Sequence, residues 1–168
     1  MSLNKIFKNY YLETILILII FFLDRISKLF VIHQDKLNFN SEIYSSKFLN
    51  IHLIWNEGIA FGLFSFNENY LYNGLTFLIF LVIIFIIFMI RKSDPLRKYA
   101  LLLVLGGALG NFFDRIIYKA VPDFIDFHVG NFHWFIFNVS DIFITIGIIL
   151  MIIIEIIIKP EATNNEKI

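Results

Sequence analysis

The sequence contains no cysteine. Disulfides, thiolate metal sites and cysteine nucleophiles are therefore excluded, and so is anchoring of this chain through a lipidated cysteine of its own. Charge is scarce as well. Asp, Glu, Lys and Arg make up 17% of the 168 residues, where soluble domains carry about a quarter. Acidic and basic side chains number 14 each and cancel to a formal net charge of zero, leaving no global basic field for nucleic acid. No internal repeat and no HExxH-type metal motif is present. His52, His128 and His133 are the histidines that could join the neighbouring aspartates as ligands, but their spacing matches no metal pattern, so no metal and no cofactor is expected.

What is abundant is apolar: 58% of residues are hydrophobic, 21 of them phenylalanine. Four apolar stretches approach the ~20 residues that a helix needs to cross a bilayer. They run from about Tyr11 to Val31, Leu71 to Ile90, Leu96 to Tyr118 and Trp134 to Ile158. Lys5 and Lys8 before the first resemble the front of a signal peptide. No small-residue cleavage site follows, so a retained helix is expected. The expected fold is a single all-α membrane domain over residues 1–168, a four-helix bundle with a small extracytoplasmic β element.

Orientation follows from the loops. Arg91, Lys92, Arg97 and Lys98 crowd the short link between the second and third stretches, with Lys5 and Lys8 before the first and Lys159 and Lys167 after the fourth. The longer His33–Tyr70 segment holds only Lys36 and Lys47. The positive-inside rule puts both termini in the cytoplasm and the other two connections outside. Phe48 to Trp55 alternates and predicts a short strand at the membrane surface. Trp55, Phe61, Phe64 and Phe66 suit the interfacial belt.

Polar groups recur where lipid is expected, and each needs a partner or a task. The first stretch holds Asp24, Arg25 and Lys28; the third holds Asn111, Asp114 and Arg115; the fourth holds Asn138 and Asp141. Counted from Trp134, Asp141 falls about seven residues, roughly 10 Å, below the outer end of its helix. Asp114 lies near that level. Asp123, in the short connection before the fourth stretch, stays close to both flanking helices. Asp123 and Asp141 are thus candidates for a facing carboxylate pair. Two such acids share one proton, one serving as base on a water while the other donates to a carbonyl. Other readings stand beside this one. Asp24 and Lys28 form an i,i+4 ion pair in their own right, Asp114–Arg115 suits a structural role, and GGALG suits close helix packing. A proton-relay or transport subunit would also bury carboxylates, although here they gather near one face. A non-catalytic assembly factor would give the pair no task.

The ordered motifs resemble the lipoprotein signal peptidase (signal peptidase II) family. Asp24 and Lys28 match D-x-x-x-K; Asn56, Gly58, Ala60 and Phe61 match N-x-G-x-A-F; Gly106 to Arg115 (GGALGNFFDR) matches the third block. Val121 to Phe124 (VPDF) and Phe137 to Asp141 (FNVSD) match V-x-D and F-N-x-A-D. Two departures are Pro122 before the first acid and Ser140 where alanine is usual. The resemblance implies a bacterial inner-membrane aspartic endopeptidase that cleaves diacylglyceryl prolipoproteins before the lipidated cysteine. Asp123 and Asp141 would be catalytic, with Asn56, Gly58, Asn111, Asp114, Arg115, Asn138, Asp24 and Lys28 binding substrate or supporting them. It implies a mobile amphipathic segment over the site and substrate entry from the bilayer. Asp126 belongs to no shared motif. A monomer is expected, with membrane lipid and prolipoprotein as its partners.

Overall fold

A computed structural model describes residues 3–37, 42–58 and 69–157. Ala60, Phe61, Phe64 and Phe66 lie outside the described residues, as do residues 158–168; of the His33–Tyr70 connection expected over the site, residues 38–41 and 59–68 lie outside them. The elements in chain order are α1 (Leu3–Leu37), β1 (Tyr44–Ser45), β2 (Leu49–Asn56), α2 (Asn69–Lys92), α3 (Pro95–Tyr118), β3 (Val121–Val129), β4 (Phe132–Phe137) and α4 (Val139–Ile157).

The α2–α3 link is tight because its chemistry stops one helix and starts the next. Asp94 accepts hydrogen bonds from the backbone N–H of Leu96 and Arg97, and Pro95 occupies the first turn where no N–H is needed. Ile83, Ile86 and Ile90 of α2 then pack on Leu101, Leu102 and Leu105 of α3. Helix α3 contacts all three other helices and forms the centre of the bundle. Its glycines permit this. A Cβ on Gly107 would come within 2.5 Å of the Ser140 carbonyl oxygen, and one on Gly110 within 2.6 Å of Asp24 Oδ2. The packing reading of GGALG therefore holds, and Ser140 fits in place of alanine because position 110 has no side chain.

The outer faces are apolar. Phe77 and Phe85 on α2 and Ile156 and Ile157 on α4 are all more than half exposed. Patches of this extent are not stable in water and suit a lipid solvent. Among the described residues, three helices, with spans at Tyr72–Lys92, Pro95–Tyr118 and Val139–Ile157, are by length and composition apolar enough to cross a membrane. Helix α1 is longer still, but Asp24, Arg25 and Lys28 interrupt its apolar run.

Four antiparallel strands in the order β1-β2-β3-β4 form one sheet. The expected strand over 48–55 is present as β2. The region after α3 departs from expectation. Trp134 to Phe137, assigned to the fourth helix from sequence, belong to β4, and VPDFIDFHV forms β3. Lys119 adopts a left-handed conformation (φ 58°) that ends α3 and turns the chain into the sheet. Gly130 (φ 60°) and Asn131 turn β3 back into β4, pairing Val129 with Phe132 and His128 with His133. Helix α4 therefore starts at Val139, and Asp141 stands in its first turn, not a further turn deeper.

Candidate active site

The sheet and the helix ends bring the two acids to one place. Asp123 comes from β3, two residues into a strand whose first four residues are all buried. Pro122 precedes it at the strand's start, paired with Trp55 of β2. Asp141 comes from the first turn of α4, where it closes a reciprocal cap with Asn138. The Asp141 N–H donates to Asn138 Oδ1, and the Asn138 N–H donates to Asp141 Oδ2, each at 3.2 Å. Local helix-capping chemistry thereby fixes the carboxylate of Asp141.

Three asparagine amides hold the acids. Asn138 Nδ2 donates to Asp123 Oδ1 at 2.6 Å and Asn56 Nδ2 to Asp123 Oδ2 at 2.9 Å. Asn111 Nδ2 donates to Asp141 Oδ1 at 2.8 Å. Every carboxylate oxygen of the pair thus accepts from an amide, and Asn138 touches both acids. Asp123, Asp141, Asn56, Asn111, Asn138, Arg115 and Val121 line one cavity of about 20 Å³, enough for a single water. Burial, followed by the Asp141 charge, pushes the Asp123 carboxyl up to about 7. Near neutral pH the pair therefore tends to hold one proton. One remaining negative charge then faces the buried Arg115 cation, so the layer is close to neutral.

Arg115 also holds the chain before the undescribed segment. Its Nη2 donates to the Gly58 carbonyl at 3.1 Å, and the Gly58 N–H donates to Asn56 Oδ1 at 2.9 Å. This ties Asn56 into the orientation that presents Nδ2 to Asp123. Asp24, Lys28 and Asp114 do not reach the cavity and stand one layer behind it. Lys28 is fully buried, and its ammonium donates to Asp24 Oδ2 (2.8 Å), Asn111 Oδ1 (2.9 Å) and Asp114 Oδ2 (2.6 Å). Asp114 also pairs with Arg25, which the sequence noted without assigning it a place in the site. Two cations and two anions cancel within this layer. Asp24 Oδ1 in turn accepts the Ser140 N–H at 3.0 Å, capping α4 from α1.

Lys28 has a specific consequence for Asn111. An ammonium has donors only, so it must face the amide oxygen and leave the amide nitrogen for Asp141. The Asp24–Lys28 pair is thus more than a local helix tie: it sets the polarity of an amide that holds a dyad oxygen. Asp126, ranked below Asp123 from sequence, takes no part here and bonds to His133 on the same sheet.

An apolar groove of about 430 Å³ leads along α4 to Asp141, lined by Trp134, Phe135, Phe137, Ile142, Thr145 and Ile146. Of the two acids, Asp141 opens onto this apolar groove, while Asp123 lies in the small cavity beside it. Comparison with known proteins gives the family. Residues 16–157 match the family described as signal peptidase (SPase) II. A lipoprotein signal peptidase of Pelagibacter ubique is 50% identical over 165 residues, 98% of this chain and 99% of the relative. One from Anaplasma phagocytophilum is 37% identical over 137 residues, 80% and 85% of the two chains. A solved bacterial membrane enzyme superposes with a TM-score of 0.65 at 26% identity, covering 93% of each chain. The chain belongs to the signal peptidase II family, and is a bacterial membrane protease of that type.

Proposed function

We propose that Asp123 and Asp141 are the catalytic pair, and that the chain cleaves diacylglyceryl prolipoproteins before their lipidated cysteine. The observation that supports this most is the enclosure of a one-water cavity by two amide-held carboxylates. In the proposed reaction Asp141 takes a proton from the water as its oxygen attacks the scissile carbonyl carbon. The proton held at Asp123 passes to the carbonyl oxygen. The resulting diol then collapses: one of its hydroxyls returns a proton to Asp123, the proton on Asp141 passes to the amine nitrogen, and the C–N bond breaks. Asn111, Asn138 and Asn56 keep the oxygens in register, while Arg115 balances the charge. Asp24, Lys28 and Asp114 support them from behind, and Gly58 anchors the segment that carries Asn56.

Entry from the bilayer accords with the groove on α4, whose apolar wall matches acyl chains and a signal helix. Helix α1 is read as a fourth span. Its 35 residues extend roughly 52 Å. Asp24, Arg25 and Lys28 are turned inward, while Leu18, Ile19, Phe22, Ile26 and Phe30 face outward. Both termini then lie in the cytoplasm and the sheet on the outer side, in one domain acting as a monomer. The substrate reading is tested with the purified chain and two forms of one prolipoprotein, diacylated and unmodified. Cleavage of the diacylated form alone, before its cysteine, is expected. Cleavage of neither form, or of both equally, contradicts the reading.

The proton on the pair predicts a pH profile. Asp123 is pushed up to about 7, so deprotonation removes the donor as pH rises through that value, and cleavage declines on the alkaline side. The Asn56 amide favours the charged form of Asp123. Asn56→Leu should therefore move the alkaline limb to higher pH while lowering the maximum rate. A limb that stays put or moves to lower pH counts against a shared proton at Asp123.

A further inference from the structure

On the strand that carries Asp123, a second cluster of titratable groups lies outside the mechanism. Asp126 and His128 stand two residues apart on β3, and His128 is the register partner of His133 on β4. Their imidazole rings stack with centroids 5.1 Å apart and planes at 22°. His133 Nδ1 lies 2.9 and 3.1 Å from the two Asp126 oxygens. The His128 Nδ1 is buried and has no hydrogen-bond partner among the described residues. One ligand atom from each of the three side chains can be chosen so that all lie within 4.8 Å of one another.

We propose that Asp126, His128 and His133 form a binding site for a divalent first-row transition metal ion, zinc by preference, on the outer β3–β4 hairpin. Bonds of about 2.0–2.1 Å to a tetrahedral ion set neighbouring ligand atoms roughly 3.3 Å apart. The Asp126–His133 pair already has nearly that separation. Closing the His128 nitrogen toward the other two needs movement at one hairpin end. The chain there is braced, since the His128 N–H donates to the Phe48 carbonyl at 3.1 Å. Between Asp126 and His128 on β3 and their partners Ile136 and His133, β4 spends one residue more than β3. A bulge of this kind re-aims side chains, and here it accompanies the approach of His133 to Asp126. Two imidazoles and one carboxylate suit zinc and leave a fourth position for water.

The chain spacing of these residues resembles no metal motif, because two of the ligands become neighbours only through strand pairing. The site is distinct from the catalytic pair. Asp123 and Asp126 are three residues apart on one strand and so face opposite sides of the sheet. A bound ion would clamp β3 to β4 and brace the strand on which Asp123 stands.

The test uses the full chain in detergent, first freed of metal with a chelator, then titrated with zinc or cobalt(II). Saturable binding of a single ion is expected, with the visible absorption of low-symmetry cobalt and a higher melting temperature in zinc. His133→Ala and His128→Ala should each weaken binding by more than about tenfold and abolish the thermal shift. His52→Ala, on β2 and outside the cluster, should leave both unchanged. Circular dichroism of the metal-free variants establishes that they are folded, and His133, whose side chain is 51% exposed, is the substitution least able to disturb folding. Absence of saturable binding, or equal affinity in folded His133→Ala and the unsubstituted chain, overturns the proposal.

Discussion

Lys28→Met is expected to destabilise the folded chain by about 3–5 kcal/mol, the scale for breaking a buried ion pair by removing one partner. The ammonium is fully buried and bonded to three acceptors: Asp24, Asn111 and Asp114. Methionine fills much of the space but donates nothing. Two carboxylate oxygens and one amide oxygen then lose their donor; Asp114 keeps its pair with Arg25, and Asp24 loses the cation it is paired with. A second effect reaches the site, because the Asn111 amide is no longer constrained to present nitrogen to Asp141. Cleavage should fall even at temperatures where the variant remains folded. Unfolding in detergent micelles measures the first effect and a rate at low temperature measures the second. A stability change within about 0.5 kcal/mol, the range of an ordinary surface substitution, contradicts the network described for the α1–α3 interface.

Asp123→Asn and Asp141→Asn are each expected to slow prolipoprotein cleavage by at least about 10²–10⁴-fold, the contribution of a positioned acid or base. Asparagine retains the size and most of the hydrogen-bonding shape of aspartate but cannot exchange the proton. Each substitution also costs stability, because all four carboxylate oxygens accept from nitrogen donors and an amide at either position sets its own nitrogen against one of them. Both variants should nevertheless remain inserted in the membrane. Processing at the unsubstituted rate by either variant removes that residue from the mechanism.

Much of this architecture could be read from residue order, for reasons that differ by element. The apolar runs of α2 and α3 are bounded by Arg91, Lys92, Asp94 and Pro95, strong stop and start signals, and their expected limits lie within two residues of the observed ones. Asp123 and Asp141 were legible as a pair because each lies close to a helix end on the same side of the bundle, Asp123 five residues after α3 and Asp141 in the first turn of α4. The start of α4 was not. FHWFIF is an uncharged apolar run, and such a run does not distinguish a buried strand from the first turns of a helix. The Gly130-Asn131 dipeptide between VPDFIDFHV and FHWFIF is a hairpin signal and could have located β3 and β4. The bond from Lys28 to Asn111 was beyond reach, since it depends on how α1 and α3 rotate against each other. Pairing of His128 with His133 was hidden for a similar reason: it is set by strand register and not by distance along the chain.

The central claim is that Asp123 and Asp141 act as one unit on one water. The cleavage rate of the double variant Asp123→Asn/Asp141→Asn, set beside the two single variants on the same diacylated substrate, tests it most directly. Residues that act together give strongly non-additive losses, so the double variant should be scarcely slower than the slower single one. Losses that multiply would mean that the two carboxylates work independently, and the shared-proton mechanism would not stand.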